Sequence, residues 1–228
     1  MKFTKLLLAS LLIFAFVPQA QAIIEFDASA KIWFVDSDLD NDSNEGWYSD
    51  KVDYGASTGG VLEANFKHIV PFVPNVGLRY THVADDTRDV DLKFNHLDVT
   101  AFYSLLDITP FSADLGFGAK WGQFEHQASG ADENYDDIVP YVFGRGKIDI
   151  VGTGLAVKGD VRFVDMPFSS DTLLFDTDLG VSWKLCDFLA TGELTAGYRY
   201  FVYKQDTGVA DGAKTTIKGP YVGIGFDF

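Results

Sequence analysis

Residues 24–34 read Ile-Glu-Phe-Asp-Ala-Ser-Ala-Lys-Ile-Trp-Phe, and every even-numbered position in this stretch is apolar. Polar or charged side chains occupy the odd-numbered positions from 25 to 31. This period of two is typical of a β-strand with one apolar face and one polar face. The alternation is longer than the roughly five or six residues of an ordinary soluble strand, and it matches the about 9–11 residues that cross a bilayer. The stretch therefore predicts a membrane-spanning strand.

The same alternation returns along the rest of the chain. We predict ten strands, with the approximate bounds 24–34, 55–68, 76–83, 94–105, 111–121, 138–148, 155–164, 173–184, 193–204 and 215–228. Ten such strands predict an all-β fold, a single transmembrane antiparallel up-and-down β-barrel. A barrel of eight strands is the alternative, if the sixth segment is a loop and another pair is misread.

The sixth segment has the least distinct alternation. We place Val142 and Ile148 on the apolar face, together with Gly144 and Gly146. The opposite phase would turn residues 141 and 143, both aromatic, towards lipid, and the sequence leaves it open.

The connections between the predicted strands alternate in length. Those after odd-numbered strands are long, as at 36–54 and 122–137, whereas those after even-numbered strands are short, as at 106–110 and 149–154. Bacterial barrels have short periplasmic turns and longer extracellular loops. We therefore expect both ends of the mature chain on the periplasmic side. A soluble all-β domain is the alternative, but it would not need this alternation.

The N-terminus has the pattern of a bacterial export signal. Lys2 and Lys5 precede an apolar run over 6–17, and Ala20-Gln21-Ala22 supplies a small-residue cleavage site. We predict a signal peptide at 1–22 and the barrel at 23–228. An uncleaved anchor is the alternative, although the run is short for a spanning helix of about 20 residues.

The C-terminus carries a second targeting pattern. The chain ends on Phe228, and Phe226, Ile224 and Val222 occupy the alternate positions before it. This pattern resembles the C-terminal assembly signal of bacterial outer-membrane barrels. The resemblance implies that the barrel assembly machinery recognises the strand that ends at Phe228.

Two further stretches extend the resemblance to the whole mature chain. Residues 73–80, Val-Pro-Asn-Val-Gly-Leu-Arg-Tyr, and residues 97–103, Leu-Asp-Val-Thr-Ala-Phe-Tyr, resemble a family of small, mostly uncharacterised Gram-negative outer-membrane β-barrel proteins. The resemblance implies export through the periplasm to the bacterial outer membrane. It brings no catalytic residues.

The overall composition excludes several classes of protein. The net charge is −15, and an acidic chain repels nucleic acid, so we exclude a nucleic-acid partner. Apolar residues make up 47% of the chain, which excludes intrinsic disorder. Cys186 is the single cysteine, so the chain cannot form an intramolecular disulfide.

The polar faces of the strands carry acids and bases in nearly equal number. The acids are Glu25, Asp27, Glu63, Asp98, Asp114, Asp160, Asp176, Asp178, Glu193 and Asp227. The bases are Lys31, Lys67, Arg79, Lys120, Arg145, Lys147, Lys158, Arg162, Lys184 and Arg199. Side chains fill the interior of a barrel of about eight strands, and one of ten is only slightly wider. Opposite charges should therefore pair across it, which favours a plugged barrel over an open pore.

The excess acid lies in the long connections 36–54 and 122–137. The run Asp36-x-Asp38-x-Asp40-x-Asp42 resembles the start of a calcium loop, but the glycine and glutamate that such a loop needs are absent. We interpret these segments as solvated acidic loops and assign no metal ligand. Loose binding of divalent cations is the alternative.

The histidines do not form a recognisable catalytic site. Omptin-type proteases are ten-stranded barrels with acids and a histidine at the extracellular rim, where His82 beside 85–86 and His126 could lie here. The chain is shorter than an omptin and lacks its motifs. His96 and Ser104 are about 27 Å apart along one strand, too far for a nucleophile and its base. We predict no catalytic residue, no cofactor and no enzymatic activity.

Two lysines do not fit the alternation. Lys204 and Lys218 fall on the apolar face near the outer ends of their strands, with Lys214 between them. A lysine at the bilayer midplane costs about 2–4 kcal/mol, so neither should be deep. The outer leaflet carries lipopolysaccharide, and we expect these amines to contact its phosphates. Snorkelling of the amines to water is the alternative.

These patterns together predict a monomeric, plugged outer-membrane barrel with a structural or surface-interaction role. A narrow, porin-like channel for small solutes is the first alternative. An omptin-like hydrolase that acts at the rim is the second.

Overall fold

Ten antiparallel strands close into one barrel. The computed structural model describes residues 24–41, 51–87, 90–128, 131–166, 172–187, 190–205 and 213–228, so the predicted signal peptide at 1–22 lies outside the described residues. The strands are β1 (Ile24–Asn41), β2 (Lys51–His68), β3 (Asn75–Thr87), β4 (Val90–Ile108), β5 (Phe111–Ala128), β6 (Ala131–Ile150), β7 (Leu155–Met166), β8 (Thr172–Asp187), β9 (Thr191–Gln205) and β10 (Ala213–Asp227). Each strand pairs with the next, and β10 pairs with β1. The prediction of ten strands is confirmed, and the alternative of eight is wrong.

The period-two alternation separates the outside of the barrel from its inside. Ile32 and Phe34 of β1 are about half exposed, whereas Trp33 and Val35 are buried. Successive side chains of a strand point to opposite faces, so one set forms the apolar exterior of the barrel and the other set points into its interior. The described part of the chain contains no helix that is long and apolar enough to cross a membrane.

Strand β6 follows the predicted phase. Val142 and Ile148 are exposed on the outside, whereas Tyr141 and Phe143 are buried inside the barrel. The opposite phase is therefore wrong. Turning Tyr141 inwards also gives its hydroxyl a partner, because it lies 2.7 Å from the Thr100 hydroxyl.

Several strands are longer than the sequence predicts. The segment 122–137 is not a long loop, because β5 and β6 stay paired as far as Ala128 and Ala131. Likewise β1 extends to Asn41 and β2 begins at Lys51, inside the predicted loop 36–54. Backbone hydrogen bonds between antiparallel strands do not require apolar side chains, so the pairing continues after the apolar alternation has ended.

The two ends of the barrel differ. We call the end that carries Ile24 and Phe228 the turn end, because the connections 69–74, 109–110 and 151–154 lie there. The opposite end, reached by the extended hairpins, is the loop end. Strand β4 runs to Ile108 through an irregularity between Ser104 and Leu106, so the predicted turn at 106–110 is shorter than expected.

Glycines make room for two tyrosines inside the barrel. A Cβ atom on Gly180 or Gly197 would lie within 2.4–2.6 Å of the ring or hydroxyl of Tyr221. A Cβ atom on Gly118 would lie 2.6 Å from the hydroxyl of Tyr141. Both tyrosines can therefore pack directly against the wall of a neighbouring strand only because those positions lack a side chain.

This packing predicts that Gly197→Ala destabilises the barrel. The added methyl group would meet both Tyr221 and the backbone oxygen of Leu179, and overpacking of this kind costs about 1–3 kcal/mol. Gly60→Ala is the matched control, because nothing lies within 4 Å of a Cβ atom there. Urea unfolding of the refolded proteins should show a lower midpoint for Gly197→Ala only. Equal midpoints for the two variants would contradict the packing.

Candidate functional site

The interior of the barrel contains a first group of charged side chains centred on Arg79 of β3. Its Nη2 atom lies 2.7 Å from Oε2 of Glu63 and 2.6 Å from Oδ2 of Asp160. Arg145 contacts the other oxygen of Glu63, and Arg162 donates to the other oxygen of Asp160. Three arginines thus share two carboxylates. The bonds from Arg79 to Asp160 and from Arg145 to Glu63 join strands that are distant along the chain.

A second group lies around Asp176 of β8. Arg199 donates to both oxygens of this carboxylate, at 2.9 and 2.8 Å. The Nζ atom of Lys120 lies 3.2 Å from Asp176 and 2.9 Å from Asp98. The Nε2 atom of His96 lies 3.4 Å from Asp98. All five residues are almost completely inaccessible to solvent.

A metal ion is not needed to explain this second group. His96, Asp98 and Asp176 bring potential ligand atoms within 4.8 Å of one another. However, the ammonium group of Lys120 lies between the two carboxylates, and Arg199 holds Asp176 from another side. The side chains of the protein itself therefore supply the positive charge that these carboxylates require.

A third group joins β1 to β8 and β10. The Nζ atom of Lys31 contacts Asp178, and the hydroxyl of Tyr221 donates to the same carboxylate. Asp178 is directly across from Arg199 in the β8–β9 register, so the third group adjoins the second. The three groups together occupy the middle of the barrel.

Aromatic rings also lie against four of the cations that these carboxylates bind. A cation over an aromatic face is attracted by the negative potential of the ring, more strongly where water is excluded. The distances from the cation to the ring centroid are 4.7 Å for Lys31 over Tyr221, 4.7 Å for Arg199 over Trp33, 5.5 Å for Lys120 over Phe201 and 5.1 Å for Arg162 over Phe143.

Most of these aromatic residues were missed by the sequence reasoning. Trp33, Phe143 and Phe201 belong to a buried apolar cluster that also contains Phe94 and Leu174. The sequence analysis assigns charges to the polar face of each strand and gives the apolar residues on that face no role. The alternation could have placed them inside, because each lies an even number of residues from a charged residue on the same strand.

A cavity opens at the turn end. Its volume is about 550 Å³. Its acidic lining residues are Glu25, Asp27, Glu63, Asp107, Asp114, Asp149, Asp160, Asp178, Glu193 and Asp227, and its basic ones are Lys31, Lys67, Arg145, Lys147 and Lys158. The charges predicted for the interior are therefore unevenly distributed along the barrel. Arg79, Lys120, Arg162 and Arg199 lie deeper than the cavity, so acids outnumber bases at its mouth. Lys184, predicted inside, is exposed.

Comparison with solved structures relates the fold to known barrels. No protein-family model and no curated protein sequence matches the chain. The structure is similar to that of the outer membrane protease OmpT from Escherichia coli, with a TM-score of 0.53 and 10% identity over 94% of this chain and 99% of that chain. The fold is that of the bacterial outer-membrane β-barrels.

Two further solved structures give weaker matches. Neisserial surface protein A gives a TM-score of 0.40 at 14% identity, over 90% of this chain and 96% of that chain. Ail, the attachment invasion locus protein of Yersinia pestis, gives 0.42 at 12% identity, over 89% and 99%. At these identities the likeness concerns the fold alone.

The residues considered for catalysis are not brought together. His82 is exposed on the outside, and its ring bonds to Asn95. His96 is buried in the second group, whereas the Ser104 hydroxyl donates to Asp114 near the turn end. The side chains of 85–86 and of His126 lie outside the described part of the structure.

Lys204 and Lys218 lie on the outer face near the loop end, as the sequence predicts, and Asp36 is an additional neighbour. The register places Lys204 of β9 opposite Lys214 of β10. Lys218 lies opposite Tyr200 on one side and opposite Asp36 of β1 on the other. Lys204 and Lys218 are both partly exposed, and Lys214 is exposed.

The interior groups predict a large cost for removing Asp176. Asp176→Ala should leave Arg199 and Lys120 short of a partner in a buried site, which costs about 3–5 kcal/mol. Asp149→Ala is the matched control, because Asp149 is 37% exposed and lies 3.6 Å from Lys147, an arrangement worth at most about 1 kcal/mol. Equilibrium unfolding should separate the two variants clearly. Similar losses would mean that the buried groups do not stabilise the barrel.

Proposed function

We propose that the protein is a monomeric outer-membrane β-barrel with a closed interior and a structural or surface-interaction role. The observation that carries this proposal is the set of ion pairs that cross the barrel. Arg79 of β3 bonds to Asp160 of β7, Lys120 of β5 to Asp176 of β8, and Lys31 of β1 to Asp178 of β8. Side chains that bond across the interior occupy the space that a pore would need.

The apolar cluster supports closure towards the loop end. Its members include Val35, Phe94, Leu174, Tyr203 and Ile217, which lie on the loop side of the charged groups in the sequence of their strands. Passage of a hydrated ion through such a layer would strip its water without replacing it. The cavity at the turn end therefore has the character of a closed vestibule.

A narrow channel for small solutes is the second candidate. The observation that favours it is the same cavity of about 550 Å³, which reaches into the barrel as far as Asp160 and Asp178. In this case, rearrangement of the ion pairs would have to connect the cavity to the loop end.

Planar-bilayer recordings distinguish the closed barrel from the channel. The unmodified protein should give no steady current. Arg79→Ala should open brief or steady conductance and lower the free energy of unfolding by a few kcal/mol, because Glu63 and Asp160 lose a shared cation. Lys67→Ala is the control, since Lys67 lies at the mouth, 3.9 Å from Asp114. A steady single-channel current through the unmodified protein would support the channel instead.

We propose that the protein is not an enzyme. An omptin-like hydrolase at the rim is the alternative, and the likeness to OmpT concerns the fold. His96 and Asp98 are bonded inside the barrel and out of reach of a surface substrate, and the ring of the exposed His82 is bonded to Asn95.

We also propose that the chain is exported with residues 1–22 as its signal peptide and that the barrel assembly machinery recognises β10. Phe228 lies on the outside at the turn end, where its ring centroid is 6.1 Å from that of Phe26. Its backbone exchanges two hydrogen bonds with Phe26, which completes the β1–β10 seam. Phe228 therefore takes part in closing the barrel between β1 and β10.

For the outer surface, we propose that Lys204 and Lys218 bind lipopolysaccharide phosphate. Changing both to Gln should weaken refolding assisted by lipopolysaccharide more than refolding in a neutral detergent, because only the former offers an anion. Since Asp36 lies opposite Lys218, Lys204 should account for most of the effect. An equal effect in both media would leave only snorkelling to water.

A further inference from the structure

The β2–β3 connection is an apolar projection at the turn end. Residues 69–74 read Ile-Val-Pro-Phe-Val-Pro and contain no charged residue, in a chain with a net charge of −15. Phe72 is 86% exposed, and Ile69, Val70 and Val73 are each about half exposed. Four large apolar side chains in water would be unfavourable, so this turn needs a covering environment.

The polar groups of this turn are already used within it. The backbone N–H of His68 donates to Oδ1 of Asn75 at 3.0 Å, and the N–H of Val70 donates to Nδ1 of His68 at 3.1 Å. The other ring nitrogen of His68 lies 3.3 Å from the carbonyl oxygen of Pro74. These bonds hold the turn in one shape, and the large side chains that it exposes are apolar.

A hydrogen bond fixes the direction in which the turn leans. The hydroxyl of Tyr103 donates to the carbonyl oxygen of Phe72 at 3.0 Å. Tyr103 lies on the outer, apolar face of β4. Phe66 of β2 and Val76 of β3, the strands that the turn connects, are exposed on the same outer face. The turn is thus continuous with the exterior of the barrel and does not cover the cavity.

The backbone at Phe72 is unusual for an aromatic residue. Its φ angle is +66°, in the left-handed region that glycine and asparagine adopt readily and bulky residues rarely do. A turn that only reversed the chain in water would be more stable with Gly or Asn here. The contribution of Phe72 must therefore come from its side chain.

We propose that residues 69–73 are a membrane anchor that inserts into the phospholipid leaflet at the turn end, with Phe72 as its deepest side chain. This inference rests on the proposed membrane location of the barrel. A lipid surface fits because the apolar turn continues the lipid-facing exterior, and aromatic residues are favoured at the interface between lipid and water. A protein interface usually surrounds its apolar centre with polar groups, and residues 69–74 themselves carry no polar or charged side chain.

The first test measures depth in phosphatidylcholine vesicles. Single cysteines are placed in a Cys186→Ser background at Phe72, at Val99 on the outer face of β4, and at Thr153 in the exposed 151–154 turn at the same end. Each is labelled with an environment-sensitive fluorophore and quenched by lipids that carry a nitroxide. We expect strong quenching at 72 and 99 and weak quenching at 153.

The reference positions separate failure of the anchor from failure of the membrane location. Strong quenching at 99 together with equal, weak quenching at 72 and 153 would overturn the anchor and favour a protein partner for this surface. Weak quenching at all three positions would overturn the membrane location as well.

A second test uses the sign of a stability change. Phe72→Asn introduces a residue that tolerates the left-handed conformation, so it should raise the urea midpoint if the turn lies in water. If the turn lies in lipid, the lost apolar contact should lower the midpoint in vesicles. Phe72→Trp, which keeps an aromatic side chain, should preserve it. A higher midpoint for Phe72→Asn would contradict the anchor.

Discussion

The closure of backbone hydrogen bonding between β10 and β1 is the constraint on which the rest of this structure depends. A strand in the hydrocarbon region has no water with which to satisfy its N–H and C=O groups, so every strand needs two neighbours. The seam runs from Asp27 paired with Asp227 to Asn41 paired with Ala213. Once the sheet is closed, each side chain faces either lipid or a confined interior, and the period of two divides the chain between them.

The interior then has to accommodate charges in very little space. A barrel of ten strands leaves no room for a full hydration shell around every ionised side chain, so the charges are stabilised by one another. Arg79, Arg199 and Lys120 each contact more than one acid or lie over an aromatic ring. Glycines such as Gly197 supply the remaining room, because the ring of Tyr221 occupies the space that a side chain would take.

The two ends of the molecule differ in physical character. The cavity at the turn end is acidic and adjoins the ion pairs, whereas apolar cluster members such as Val35, Phe94 and Ile217 lie towards the loop end. Outside the cavity, the turn end also presents the uncharged surface around Phe72. The turn end thus combines an acidic cavity mouth with an apolar outer edge.

The sequence by itself predicted ten strands and the face of nearly every one, because alternation depends only on local backbone geometry. It left the phase of β6 open, and the burial of Tyr141 and Phe143 in the closed barrel decided it. It could not define the strand ends, since β5 and β6 remain paired through backbone bonds where Gln123 meets Asp136 and no apolar pattern is left. Nor could it match acids to bases: Lys31 and Asp178 are 147 residues apart in the chain. Which side chains meet across the interior depends on the tilt and stagger of the closed barrel, and only the tertiary structure sets these.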